Sequence, residues 1–135
     1  MSAARLFCDT SVLVRYFADD DPPRSLAAAR MVDGDDTLVV STASLLELVH
    51  VLRTDYGIHN PALGNGLIRF LTRENIELVD ADQGATVAAI RWSLRVSARR
   101  IPDAIIAAAA EHARCDAIAT FDERMESPGV PVRLL

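Results

Sequence analysis

The sequence predicts an α/β fold in which helices flank a parallel sheet. Short apolar runs alternate with longer segments of helical periodicity over the 135 residues. Such alternation is typical of strand–helix–strand units, whose crossover helices make successive strands parallel. We therefore predict strands at 5–8, 37–40, 76–79, 117–120 and 130–134, and helices at 11–18, 22–32, 43–56, 62–74, 83–97 and 102–114.

The individual elements are supported by local sequence features. The first four strands contain the apolar runs RLFC, TLVV, IELV and AIAT, and the fifth strand is the weakest. The helix at 102–114 contains the alanine-rich run AIIAAAAEHA, and Pro102 suits its first turn because no amide donor is needed there. Three aspartates at 19–21 precede Pro22 and Pro23, a pattern that predicts a solvated turn between the first two helices.

Composition indicates one compact domain over residues 1–135. Half of the residues are hydrophobic, 24% are charged, and the formal net charge is -5. The longest uninterrupted apolar run, Ala104–Ala110, is far shorter than the roughly 20 residues that a membrane span needs. Cys8 and Cys115 form no framework of the kind that stabilises small secreted domains. We therefore expect a cytoplasmic protein that does not enter a membrane.

All 14 basic residues are arginines. The absence of lysine excludes a Schiff-base enzyme, a P-loop, a phosphoacceptor receiver domain and a haloacid-dehalogenase-type phosphatase. The negative net charge also argues against binding nucleic acid through bulk positive charge, although it allows a small basic stripe beside a metal.

Four carboxylates fall at positions that topology brings to one edge of the sheet. Asp9 follows the first strand, Glu47 lies early in the helix after the second, Asp103 opens the sixth helix, and Asp122 follows the fourth strand. In an open α/β sheet, the carboxyl ends of parallel strands and the amino ends of the following helices share an edge where ligands bind. The four side chains are therefore expected to point toward one site.

Each of these acids also has a structural explanation. Asp9 could cap a helix, Ser44 and Glu47 fit a capping box, Asp103 could interact with a helix dipole, and Asp122 could begin a turn. Together, however, four like charges need a compensating cation, and there is no lysine to supply one. Mg²⁺ or Mn²⁺ fits such oxygen ligands better than Zn²⁺ does. Without metal, mutual repulsion predicts a raised pKa for at least one carboxyl group.

An arginine stripe is the candidate substrate contact. Arg91, Arg95 and Arg99 are spaced by four residues and would line one face if the helix continued through them, and Arg100 lies just before Asp103. These arginines could contact phosphates through charge-assisted hydrogen bonds. An ordinary solvated helix face explains the same spacing equally well.

Four motifs in order resemble PIN-domain ribonucleases, and in particular the VapC-type toxins of bacterial toxin–antitoxin pairs. They are FCDTSVLVRYF, STASLLELVHVL, RIPDAIIAAAAEHA and CDAIATFDERM. The resemblance implies a PIN-like three-layer sandwich with sheet order 3-2-1-4-5. That order puts Asp9 and Asp122 on neighbouring strands. It also implies that Asp9, Glu47, Asp103 and Asp122 are the acidic quartet and that Ser11 and Thr120 orient water or a ligand.

The resemblance further implies a Mg²⁺- or Mn²⁺-dependent endoribonuclease that acts on RNA with an exposed loop, such as transfer RNA. It implies a homodimer and a small cognate antitoxin that lies across the first helices. We expect apolar surface there from Leu13, Val14, Tyr16 and Phe17. The alternative is a degenerate PIN scaffold or non-enzymatic metal-binding module that acts through interaction alone.

Overall fold

The structure, a computed structural model, describes residues 3–135. The elements follow the predicted alternation along the chain. In order they are β1 (Arg5–Phe7), α1 (Thr10–Phe17), α2 (Pro22–Val32), β2 (Thr37–Val40), α3 (Thr42–Thr54), α4 (Asn60–Leu71), β3 (Ile76–Leu78), α5 (Gln83–Leu94), α6 (Ile101–His112), β4 (Ile118–Thr120) and β5 (Val132–Leu134).

Over residues 3–135, the five strands form two parallel sheets. One has the order β1-β2-β3, with Leu6 opposite Leu38 and Leu38 opposite Ile76, and the other pairs β4 with β5. The predicted α/β class is confirmed, but the predicted order 3-2-1-4-5 is wrong at one junction. Within the described residues no ladder joins β1 to β4. Both strands have three residues and already pair along their other edge, so a further ladder would add few hydrogen bonds.

The main core lies between the three-stranded sheet and the helices packed on it. It includes Leu13 of α1, Leu45 and Leu48 of α3 and Phe70 of α4, each almost completely buried. The apolar surface predicted from Leu13, Val14, Tyr16 and Phe17 is wrong for the first two, whereas Tyr16 and Phe17 are only partly buried. Leu13 and Val14 are buried, and the rings of Tyr16 and Phe17 pack against Phe70 at centroid distances of 5.8 and 5.7 Å.

A second packing layer joins α5 to α6 through small side chains. Ala89 faces Ala104 and Ala108 in this cluster, and the half-buried Trp92 packs against it. Small residues allow the two helix backbones to approach closely, which fixes the start of α6 and the residues that open it.

The predicted arginine stripe on one helix face is wrong, because α5 ends before Arg99. The helix stops at Leu94 instead of continuing to residue 97, and Arg95 is its C-cap. Arg99 lies beyond the helix, where its guanidinium stacks 4.0 Å from the Trp92 ring centre and its Nη1 donates to the Trp92 carbonyl at 3.0 Å. Because a helix end leaves carbonyls without partners, this contact stabilises the end of α5.

Among residues 3–135, no helix combines the length and the hydropathy that crossing a bilayer requires. Cys8 is buried, Cys115 is exposed, and both are free thiols. The Asp19–Asp21 turn lies between α1 and α2 as predicted, and Asp21 is the N-cap of α2.

Candidate active site

Asp9 lies two residues beyond the end of β1 and is the N-cap of α1. Its Oδ2 accepts hydrogen bonds from the Ser11 hydroxyl at 2.6 Å and from the Ser11 amide at 3.1 Å. These bonds, first the one from the hydroxyl, hold the pKa of the Asp9 carboxyl below its usual value. Asp9 is therefore ionised at neutral pH, and Ser11 fixes its orientation.

Glu47 is exposed in the second turn of α3 and is joined to α1. Its Oε2 accepts a hydrogen bond from the Thr10 hydroxyl at 3.0 Å, and Thr10 is itself buried. The predicted capping box of Ser44 and Glu47 is wrong, because Ser41 is the N-cap and its hydroxyl accepts from the Ser44 amide. Sequence reasoning assigned no role to Thr10. Its position next to Asp9 was the available signal.

Asp103 and Asp122 share one positively charged partner. Asp103 lies in the first turn of α6, and its Oδ2 accepts from Arg100 Nε at 3.0 Å. Asp122 Oδ2 accepts from Arg100 Nη2. The Arg100 guanidinium, and after it the Arg124 amide that donates to Oδ1 at 2.9 Å, lowers the pKa of the Asp122 carboxyl. One guanidinium thus pairs with carboxylates from two different elements.

Thr120 holds the turn that carries Asp122. The Thr120 hydroxyl oxygen accepts from the Asp122 amide at 3.0 Å. Thr120 therefore positions the backbone of Asp122 directly, which places the acid just beyond the end of β4.

Repulsion among the four acids predicts a raised pKa for at least one of them. Asp9 and Asp122 are not such a group, because the pKa values of both are lowered. For Asp9, the cause is the hydrogen bonding from Ser11. For Asp122, the cause is the Arg100 guanidinium, which supplies the positive charge that we expected from a metal because the chain contains no lysine.

The four carboxylates form two half-sites. Asp9 and Glu47 are linked through Thr10, and Asp103 and Asp122 through Arg100. In the part of the chain that the structure describes, no three acidic, histidine or cysteine side chains converge closely enough to hold an ion.

One acid of each half-site, Glu47 on α3 and Asp103 on α6, lies on a helix, and these two helices pack against each other. A cavity of about 310 Å³ lies where α3 meets α6 and is lined by Val49, His50, Arg53, Thr54 and Pro102. Pro102 is adjacent to Asp103, and Val49 lies two residues beyond Glu47. The cavity is therefore lined by residues that lie close in sequence to Glu47 on α3 and to Asp103 on α6.

The donor chemistry of the two half-sites fits a hard divalent cation. Carboxylate oxygens and the Ser11 and Thr10 hydroxyls are the ligand types that Mg²⁺ and Mn²⁺ prefer. Asp103 and Asp122 already bind a shared positive group in the form of the Arg100 guanidinium. That guanidinium marks a position where two carboxylates accept a cation.

The remaining candidate arginines differ in whether another group of the protein already binds their side chains. Arg91 and Arg95 are exposed, and neither forms an ion pair with another described residue. Arg99 is committed to Trp92 and lies 3.6 Å from Glu126 Oε2. Arg91 and Arg95 are thus the members of the predicted set that are open to an anionic ligand.

Comparison with known proteins identifies the family. No curated protein matches the chain. The chain is similar to the crystal structure of Mycobacterium tuberculosis VapC20, a sarcin–ricin loop cleaving toxin, with 19% identity and a TM-score of 0.43 over 86% of this chain and 87% of that chain. The family model of the PIN domain matches residues 6–130, which span both half-sites. This chain belongs to the PIN-domain family.

Proposed function

We propose that this protein is a metal-dependent endoribonuclease and the toxin of a toxin–antitoxin pair. The observation that carries the proposal is the convergence of Asp103 and Asp122, from α6 and from the turn after β4, on one cationic group. Membership of the PIN-domain family, a family of nucleases, supports the same conclusion. Asp9 and Glu47, joined through Thr10, complete the proposed acidic quartet.

In the proposed mechanism, Asp9, Glu47, Asp103 and Asp122 would hold Mg²⁺ or Mn²⁺. The bound cation would act as a Lewis acid toward the scissile phosphate and lower the pKa of a water molecule. Ser11 orients the Asp9 carboxylate and keeps it ionised, and Thr120 fixes the backbone of Asp122. The Ser11 hydroxyl helps hold Asp9, and the Arg124 amide helps hold Asp122, in the charged form that a divalent cation requires.

The proposed substrate is RNA with an exposed single-stranded loop, of which transfer RNA is an example. Unstacked bases and accessible phosphates occur in such loops. Arg91 and Arg95 would contact phosphates through charge-assisted hydrogen bonds, because both are exposed without an internal partner among the described residues. Arg100 could join them once it leaves its carboxylate partners, whereas Arg99 supports the end of α5.

We place the proposed antitoxin contact at a groove between α1 and α2. The groove has a volume of about 350 Å³ and is lined by Ser11, Val12, Arg15, Arg24, Ala27, Ala28 and Met31. Its apolar floor suits the apolar face of a partner helix. We also propose a homodimer, and a cytoplasmic location in which both free thiols stay reduced.

A second candidate function is a PIN scaffold that binds partners without cleaving RNA. The ion pairs of Arg100 favour it, since they give Asp103 and Asp122 a structural role that requires no metal. Incubation of the purified protein with transfer RNA separates the candidates. The endoribonuclease produces new RNA ends in Mn²⁺ and none in EDTA, whereas the scaffold leaves the RNA intact in both.

A further inference from the structure

Arg100 occupies the position between two of the four proposed metal ligands. It is the N-cap residue of α6, and its side chain is 43% exposed. Asp103 and Asp122 therefore hold the guanidinium through ion pairs, with little contribution from burial. Exposed ion pairs contribute little free energy, so this side chain can leave the two carboxylates at small cost.

The atoms that accept from Arg100 are the atoms that a cation would need. Both contacts use an Oδ2 atom, that of Asp103 with Nε and that of Asp122 with Nη2. A divalent cation bound to the same oxygens would lie within a few ångströms of the guanidinium charge, where like charges repel. Occupancy by the guanidinium and occupancy by the cation therefore oppose each other.

We propose that Arg100 is a built-in competitor of the divalent cation at the Asp103–Asp122 half-site, an inference that rests on the proposed function. In the free protein the guanidinium holds the two carboxylates together and weakens metal binding. Once displaced, its exposed position lets it turn to an anionic group, for which a phosphodiester oxygen of RNA is the matching chemistry. Arg100 thereby couples metal binding to substrate binding.

Mn²⁺ binding to the RNA-free protein tests this inference without relying on activity. Free Mn²⁺ is measured by electron paramagnetic resonance for the wild type and for Arg100→Gln. The variant is expected to bind Mn²⁺ about three to ten times more tightly, which corresponds to the removal of a weak competing ion pair. Addition of a non-cleaved RNA analogue should tighten Mn²⁺ binding by the wild type more than by the variant.

Arg30→Gln is the matched control. Arg30 is an exposed arginine in the last turn of α2 and makes no ion pair with the described residues, so its loss changes net charge by the same amount. At 0.15 M salt, where the screening length is about 8 Å, the control should bind Mn²⁺ like the wild type. An equal gain in affinity in Arg30→Gln would overturn the inference by showing a general charge effect.

A measurement on the wild type makes the test independent of the variant's folding. Addition of Mg²⁺ should shift the Arg100 Nε–H resonance and speed its exchange with water as the ion pairs break. An unchanged resonance in a metal-bound protein overturns the inference, and so does unchanged or weaker Mn²⁺ binding in Arg100→Gln. In either case, RNA cleavage by the wild type leaves the proposed function standing. If neither protein binds Mn²⁺ or cleaves RNA, both proposals are wrong.

Discussion

The Thr10 hydroxyl donates to Glu47 Oε2 at 3.0 Å and so ties the first turn of α1 to the second turn of α3. Thr10 follows Asp9, which places the two acids of one half-site on either side of a buried hydroxyl group. Since the Glu47 side chain is otherwise exposed, this hydrogen bond fixes its direction.

Thr10→Val should slow RNA cleavage strongly while lowering the free energy of unfolding only slightly. Valine keeps the shape of threonine but leaves Glu47 without its donor, and loss of a group that orients a metal ligand typically costs about 10–100-fold in metal affinity or activity. The free energy of unfolding should fall by about 0.5–1.5 kcal/mol, as expected for one lost hydrogen bond. Cleavage assays and urea unfolding measure the two effects.

Thr86→Val is the control for this comparison. The Thr86 hydroxyl donates to the carbonyl of Asp82, the N-cap of α5, at 2.8 Å and touches neither half-site. It should lose comparable stability and keep full activity. Equal activities for the two variants would show that Thr10 has no part in positioning Glu47.

Asp103→Asn should make the metal-free protein slightly less stable. Repulsion among four bare carboxylates would predict the opposite sign, but Arg100 already pairs with Asp103 and Asp122, so removing one carboxylate removes an ion pair. The loss should be below about 1 kcal/mol because the pair is partly exposed. Thermal unfolding in EDTA measures the sign.

The same variant should respond less to Mg²⁺. A cation that binds only the folded protein raises the melting temperature, and loss of a ligand reduces that gain. A variant that melts above the wild type in EDTA would mean that repulsion outweighs the Arg100 contacts. A full Mg²⁺ response in the variant would remove Asp103 from the metal ligands.

The sequence was sufficient for elements whose boundaries depend on local signals. The predicted boundaries of α2 and β2, 22–32 and 37–40, are those observed, because Asp21 with two prolines starts α2 and a short run of β-branched residues forms β2. The end of α5 depends instead on Arg99 reaching back to Trp92. The apolar and arginine periodicity beyond Leu94 gave no sign of that contact.

The pairing of the proposed site residues could not be predicted from the sequence. Chain order and strand ends suggested which acids approach the sheet edge. The partner of Asp122 is Arg100, 22 residues earlier in the chain, and no local pattern connects the two. The junction between β1 and β4 likewise depends on tertiary packing of two three-residue strands, which local propensity cannot specify.

Tyr56→Phe should remove an acid-sensitive contribution to stability. The Tyr56 hydroxyl donates to Asp20 Oδ2 at 2.7 Å, and Arg15 Nη1 donates to Oδ1 at 2.6 Å. These bonds, the one from Tyr56 first, lower the pKa of Asp20. A lowered folded-state pKa adds stability above the unfolded value of about 3.9, and that stability is lost as the pH falls through the folded-state pKa.

The difference between the wild type and Tyr56→Phe should therefore be present at pH 7 and shrink in acid. It should also shrink at high pH, because Asp20 raises the pKa of Tyr56 and the bond is lost once the phenol ionises. Urea unfolding from acid to alkaline pH measures the profile. Tyr16→Phe is the control, since the Tyr16 hydroxyl has no hydrogen bond to a described residue, and a matching profile in that variant would exclude the Asp20 contact as the cause.

The rate of single-turnover cleavage of a looped RNA by Asp9→Asn tests the central claim most directly. Asparagine is as good an N-cap as aspartate, so α1 should remain folded while the proposed metal ligand loses its charge. In Mg²⁺ the rate should fall by at least about 100-fold. Asp116→Asn, which removes an exposed acid without a side-chain hydrogen bond to a described residue, should cleave at the wild-type rate. Cleavage by Asp9→Asn at the wild-type rate, or by the wild type in EDTA, would contradict the account.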